Sequence, residues 1–140
     1  MSKVNIRKAE RIDVDAIHAL TLPFVESGQL LERTREEIVS LIGCGFSAVQ
    51  ADGTVVGFAA VEIYSKKLAE ILCLAVSSEF QGEGVGKQLV DQCVLFAQQN
   101  EVVELMAISA SGHFLKNCGF NYTLPDQKRA LFINPTQRPT

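Results

Sequence analysis

The sequence predicts a mixed α/β (α+β) sandwich, with a mostly antiparallel sheet of six to seven strands flanked by helices on both faces. Three observations carry this. Strand-type and helix-type periodicities follow one another as strand, two helices, three strands, helix, strand, helix, strand. Asp52-Gly53 stands between two apolar runs, the strongest short hairpin signal in the chain. Val55 to Val61 is apolar at nearly every position, so both sides of that strand need cover, and helices on the two faces supply it.

Lys3 to Lys8 alternates apolar and polar residues around Val4 and Ile6 and suits an edge strand. Asp13 can cap the first helix, Val14, Ile17 and Leu20 recur at helical spacing, and Pro23 is expected to end it, leaving Phe24 to Leu31 as a connection. His18 has no second ligand-type neighbour there and reads as an ordinary surface or boundary residue. Thr34 and Glu37, three apart, make a capping box ahead of Ile38, Leu41 and Ile42, with Gly43 or Gly45 expected to close the second helix. Phe46 to Ala51 and Thr54 to Ile63 are the hairpin strands, and Ser65-Lys66-Lys67 leads to a central strand, Glu70 to Val76. After a glycine loop, Val85, Leu89, Cys93, Phe96 and Ala97 line one face of a helix that Asn100 caps. Val102 to Ile108 is the next strand and Ser111 to Cys118 a short helix stopped by Gly119. Phe120 to Leu124 and Arg129 to Ile133 are the last extended pieces.

The 140 residues suit one domain, 1–140. Hydrophobic residues make up 47% and charged residues 21%, which excludes extended disorder. A net charge of −3 without a basic run argues against nucleic acid or an anionic membrane as partner and leaves a neutral or zwitterionic small substrate open. The four cysteines, Cys44, Cys73, Cys93 and Cys118, form no C-x-x-C pair, so buried thiols in a reducing cytoplasm are expected and no metal site. No signal core or membrane-spanning run is present, again favouring the cytoplasm. A homodimer is left open.

The stretch from Glu70 to Ala97 is the most informative: a buried strand, then Gln81-Gly82-Glu83-Gly84-Val85-Gly86-Lys87, then a helix. Glycines at alternate positions let a ligand approach the backbone, and the helix N-terminus adds free N–H groups and partial positive charge, which suits a phosphate. A P-loop would need glycine where Gln81 stands and Ser or Thr where Gln88 stands. A dinucleotide fingerprint would need glycine at Lys87 or at Leu89. Both fail. What remains, Gln-x-x-Gly-x-Gly after a buried strand, resembles the pyrophosphate-binding motif of the GNAT superfamily of N-acetyltransferases.

That resemblance implies acetyl-CoA as acyl donor, its pantetheine lying between splayed fourth and fifth strands, here Glu70 to Val76 and Val102 to Ile108. The implied cofactor contacts are Leu74, Ala75, Val76, Gln81, Gly82, Glu83, Gly84, Val85, Gly86 and Lys87. Phe114 to Phe120, ending Gly-Phe, is similar to the family's second motif and adds Phe114 and Asn117. A narrower likeness is to the acetyltransferase domain of bacterial N-acetylglutamate synthase, the first enzyme of arginine synthesis. Leu31 to Glu36, Ala69 to Val76, His113-Phe114-Leu115 and Leu124 to Arg129 carry it. The amino-acid-kinase domain of the full synthase has no counterpart here, and the family's C-terminal Tyr-Asn...Arg-x-Ser region has become Phe132 to Thr140.

An ammonium must lose a proton before attacking a thioester, so a carboxylate is the expected base. Glu70, opening an apolar strand where burial would raise its pKa, is the candidate, against a plain strand-end glutamate. A backbone N–H at Leu74 or Val76 can polarise the thioester carbonyl. The thiol leaves readily, its pKa being about 8.5 by analogy with cysteine. Leu115 stands where many relatives have a tyrosine acid; Ser109 resembles a serine proposed for that role in the synthase family, with Tyr64 and Tyr122 in reserve. Cys73 is expected to pack in the core and at most to meet substrate through its backbone. Arg33, Arg35, Lys67 and Arg138 are cations able to clamp the carboxylates of an amino-acid acceptor such as glutamate. A protein or other small amine, or a catalytically weakened acetyl-CoA-binding module, are the alternatives.

Overall fold

A hairpin-rich sheet forms the centre of the structure. The computed structural model describes residues 3–108, 112–121, 133 and 135, which divide into two units, Met1–Ala110 and Ser111–Thr140. In the first, β1 (Val4–Lys8) leads into α1 (Val14–Glu26) and α2 (Arg35–Leu41); β2 (Gly45–Gln50), β3 (Val55–Ile63) and β4 (Leu68–Val76) follow, then α3 (Val85–Gln99) and β5 (Glu104–Met106). The five strands lie in sequence order, antiparallel through β4, with β5 parallel to β4. Five strands are thus present among the described residues, against the six to seven expected. Phe120 and Asn121 are not strand, and the rest of the expected last extended pieces, but for Ile133, lies outside the described residues.

Helices cover both faces, as the apolar β3 requires. Phe58, Ala60 and Cys73 pack with Val14 and Ile17 of α1 and with Ile38 and Leu41 of α2. On the opposite face Phe46 meets Phe96 of α3 edge-on, with ring centroids 6.1 Å apart, and a Cβ at Gly57 would stand 3.0 Å from Leu89. The α3 stripe buries Val85, Leu89, Val90, Cys93 and Ala97, while the Asn100 side-chain amide donates to the Phe96 carbonyl at 2.8 Å and ends the helix. The hairpin turns at Gly53, φ 91°, where the Thr54 N–H donates to the Asp52 carboxylate.

Three helix boundaries differ from the sequence expectation. Pro23 lies inside α1, which runs on to Glu26. The ring sits on the solvent side with Leu22, and the carbonyl it deprives of a donor, Ala19, belongs to an exposed residue, where solvent can reach it. Asp13 does not cap α1 with its side chain; it ends a 3-10 turn, Arg11–Asp13, and its carboxylate is used sideways. Arg7 grips it with two nitrogens at 2.8 and 2.9 Å, the Glu10 N–H donates at 2.8 Å and the Ser47 hydroxyl at 3.1 Å. Neither Gly43 nor Gly45 closes α2 in a left-handed conformation: a 3-10 turn, Ile42–Cys44, ends it, and Gly45 opens β2 with φ −115°. Gly45 is needed for closeness, since a Cβ there would lie 2.8 Å from the Phe58 ring and 2.9 Å from the Leu41 carbonyl. The Thr34–Glu37 capping box forms as read.

In the second unit α4 (Gly112–Asn117) ends at Gly119, φ 96°. Among the described residues no helix is long and apolar enough to cross a membrane.

Candidate active site

Two glycines shape the loop that joins β4 to α3. Gly82 and Gly84 take φ 84° and 86°, and a Cβ on either would meet nothing within 4 Å, so both face open space. Gly84 is the N-cap of α3 and offers no side-chain acceptor; the Gln88 N–H, bonded to the Gly84 carbonyl at 3.0 Å, is the first to find an intrahelical partner. The N–H groups at the head of α3, those of Val85 and Gly86 among them, therefore point out of the helix toward a region where its dipole favours negative charge. Glu83 is exposed between the glycines, and the Lys87 ammonium meets Asp91 at 3.0 Å. Gln81 turns back: its side-chain amide donates to the Val76 carbonyl at 3.0 Å and ties the loop to the strand.

The strand before the loop has an open edge. β5 pairs with β4 only at Leu68, Ala69 and Glu70, so from Ile71 onward β4 has β3 on one side and, among the described residues, no strand on the other. The expected fifth strand, Val102 to Ile108, is therefore shorter than read. The Ser77 N–H donates to the Val56 carbonyl, so Ala75 faces Phe58 and the backbone of Val76 is turned to the open edge by strand alternation. A bulge bends this stretch: β3 advances from Phe58 to Ala60 while β4 runs from Ala75 back to Leu72. The extra residue is absorbed at Cys73, φ 57°, a left-handed conformation that costs a non-glycine residue about 1–2 kcal/mol, with Leu74 next to it.

The bulge sends Cys73 into the core facing α1 and α2. Burial pushes its thiol up, opposed by the Arg33 guanidinium, which hydrogen-bonds to it. Arg33, half-buried just before α2, thus stands at this face of the sheet, near Glu37 as well. Leu72 packs against the same core cluster, so Glu70, two residues earlier on β4, presents its side chain to that face. Glu70 is half-buried rather than fully enclosed, and Tyr64 donates its hydroxyl to Glu70 Oε1 at 2.6 Å. Glu62 lies directly across from Glu70 in the β3–β4 ladder. The Glu70 hydrogen bond first, then burial and Glu62, raise the Tyr64 phenol well above its ordinary range, so it stays a donor.

The remaining cations are dispersed. Arg35 points from α2 to Asp15 of α1 and forms an exposed ion pair with it. Lys67 is exposed in the β3–β4 turn, its N–H donating to the Ser65 hydroxyl. Phe114 and Asn117 are exposed on α4, in the second unit. Ser109, Tyr122 and Arg138 lie outside the described residues. The sequence reading missed the Tyr64–Glu70–Glu62 contact, whose only signal was the hairpin spacing that sets Glu62 opposite Glu70. A groove of about 460 Å³ between β1 and α3, lined by Ile6, Phe46, Leu95 and Phe96 among others, shares no residue with this site.

Comparison with known proteins bears on what this geometry serves. The model of the Acetyltransferase (GNAT) family matches residues 14–120. An uncharacterized N-acetyltransferase of Chlorobaculum tepidum is 32% identical over 115 residues, covering 82% of this chain and 74% of that protein. The amino-acid acetyltransferase of Neisseria meningitidis is 34% identical over 126 residues, 89% of this chain but only 29% of that one. Among solved structures, N-acetylglutamate synthase from Neisseria gonorrhoeae, complexed with coenzyme A and N-acetyl-glutamate, superposes with a TM-score of 0.75 at 31% identity over 84% of this chain and 28% of the synthase. The chain thus spans less than a third of the amino-acid acetyltransferases it matches, yet the family match runs from α1 to Phe120 and takes in β2 to β5, the bulge and the glycine loop. This chain belongs to the GNAT family of acetyltransferases.

Proposed function

We propose that this enzyme moves the acetyl group of acetyl-CoA directly to the primary amine of an amino acid, glutamate being the favoured acceptor, within one ternary complex. The observation that carries the proposal is the continuity of the open β4 edge with a side-chain-free donor cluster at the head of α3. The residues fit the acyl donor: Gly82 and Gly84 leave room for a pyrophosphate where any Cβ would intrude, and the first-turn N–H groups of α3 supply donors. Along the open edge the backbone N–H groups of Leu74 and Val76 would serve an extended pantetheine and the acyl carbonyl. Acetyl-CoA supplies an activated acetyl group and a good thiolate leaving group.

Glu70 takes the proton from the acceptor ammonium, directly or through water, and the freed amine is then nucleophilic. Arg33 is the cation best sited to hold an acceptor carboxylate, because it is half-buried on the face that Glu70 shares. Arg35 is committed to Asp15, which leaves Arg33, with Lys67 and Arg138, for that role. The amino-acid acetyltransferase and N-acetylglutamate synthase relatives favour an acidic amino acid over a protein amine or an unrelated small amine. Such an acceptor places the reaction in arginine synthesis in the cytoplasm, within a single domain comprising both units.

The test is release of CoA thiol from acetyl-CoA against a panel of amino acids, amines and peptides. Turnover with L-glutamate is expected, with Arg33→Ala raising the glutamate KM about tenfold or more and leaving the acetyl-CoA KM unchanged. Turnover confined to peptides, or an Arg33→Ala enzyme with the parent's KM, sinks the acceptor assignment.

A further inference from the structure

We infer that Tyr64 is a positioning residue for Glu70, holding one carboxylate oxygen so that the other is presented to the acceptor amine. The inference rests on the reading of Glu70 as the base and extends it to a residue that is not part of the glycine loop or the acceptor clamp. The starting point is a conflict. Glu62 and Glu70 are directly paired across the β3–β4 ladder, an arrangement in which like charges repel. Left alone, both carboxylates would rotate apart toward solvent, and a base that points to solvent meets its substrate only part of the time.

Tyr64 resolves the conflict. It follows β3 directly, and the turn to β4 fixes its backbone, with the Tyr64 N–H donating to the Leu68 carbonyl at 3.0 Å. Strand alternation then sets Glu62, Tyr64 and Glu70 on one face, and the phenol reaches Glu70 Oε1 at 2.6 Å, the length of a hydrogen bond to a charged acceptor. Glu62, paired with Glu70, also raises this phenol, so the hydroxyl given to Glu70 stands on the face the two carboxylates share. Glu70 Oε2 remains for a proton. Other groups on this side are Glu104 of β5, in register with Leu68, and Cys73, Arg33 and Glu37 toward α2. Glu70 and Glu62 both raise the Tyr64 phenol, and among the described residues no cation opposes them. Tyr64 is therefore tuned to donate and to keep its proton, the opposite of what a general acid needs at neutral pH.

Two measurements test this. The first needs no acceptor. The chain has two tyrosines, so a Tyr122→Phe background isolates Tyr64 for ultraviolet titration. Little phenolate at pH 11 is expected with Glu70 intact, and a clear rise with Glu70→Gln; a Tyr64 that ionises equally in both overturns the inference. The second is a double-mutant cycle in the L-glutamate assay. Tyr64→Phe should lower kcat about tenfold or more and leave the acetyl-CoA KM unchanged. In a Glu70→Gln background it should cost nothing further. A second loss there means that Tyr64 acts independently and overturns the positioning role. Glu70→Gln inactive with Tyr64→Phe unaffected removes Tyr64 and keeps the base, whereas Glu70→Gln at the parent's rate removes the base reading itself and Tyr64's role with it.

Discussion

Replacing Gly84 separates the fold from the anion site, because two substitutions share one backbone cost and differ in charge. At φ 86° any side chain strains the backbone, by about 1–2 kcal/mol, yet neither Ala nor Glu would meet a heavy atom within 4 Å at Cβ. Both variants should therefore fold, with a melting temperature lowered by roughly 4–8 °C for a domain of this size. Glu has a further effect on stability, since a carboxylate at the N-cap of α3 interacts favourably with the helix dipole by about 0.3–1 kcal/mol. The Glu variant should thus melt no lower than the Ala variant. Binding of CoA should run in the opposite order. Gly84→Ala puts a methyl group where a phosphate approaches the backbone; losing one charge-assisted hydrogen bond, about 1.5–3 kcal/mol, weakens Kd roughly ten- to a hundredfold. Gly84→Glu adds a negative charge at the same spot and should bring the loss to a hundredfold or more. Calorimetric titration with CoA beside thermal melts reads both quantities. A Glu variant that binds CoA within twofold of the parent would refute the assignment of this loop to the pyrophosphate.

Two further predictions concern the scaffold. Asp13 is 4% exposed, and although burial pushes its carboxyl up, the Arg7 hydrogen bonds and charge, the Glu10 N–H and the Ser47 hydroxyl bring it below the ordinary value of 3.8. Its stabilisation is thus complete above the unfolded pKa and lost as pH falls through the lower folded one, so Asp13→Asn should cost about 3 kcal/mol, roughly 10 °C, at pH 7. The gap should close below about pH 4; a gap that widens with acidification, or none at pH 7, contradicts the network's role. Gly45→Ala should destabilise by about 1–3 kcal/mol in urea titration, because its Cβ would press on the Leu41 carbonyl and the fully buried Phe58, and a neutral outcome would mean that β2 can shift there.

How much of this was legible in the sequence depends on the range of the interaction that decides each feature. The Thr34–Glu37 box, the Asp52-Gly53 turn and the α3 stripe are set within four residues or by one helical period, and each forms as read. Asp13 and Gly45 were misassigned because their partners are distant: Ser47 lies 34 residues from Asp13, and the ring that demands a glycine at position 45 belongs to Phe58 on the neighbouring strand. Pro23 misled for a different reason: it lies on the exposed side of α1, near the end of the helix, where the loss of one hydrogen bond leaves the Ala19 carbonyl open to solvent.

The bulge at Cys73 is the deeper case. Nothing local marks it: a cysteine in an apolar run reads as one more alternating position, and φ 57° is unfavourable for it. The conformation is imposed by the sheet, where β3 and β4 stay in register on both sides of the extra residue while α1 and α2 fill the space into which Cys73 turns. The strain is held by packing at the point where β4 passes from its paired portion, ending at Glu70, to its open edge, ending at Val76. By sending Cys73 to the α1–α2 side, the bulge also brings Glu70, Cys73 and Arg33 to one face while leaving the strand's backbone free along its edge. A regular strand would offer the same residues in strict alternation, with Glu70 and Cys73 on opposite faces. The meeting of Cys73 and Arg33 on the face that Glu70 holds therefore depends on a residue whose sequence gives no hint of its conformation.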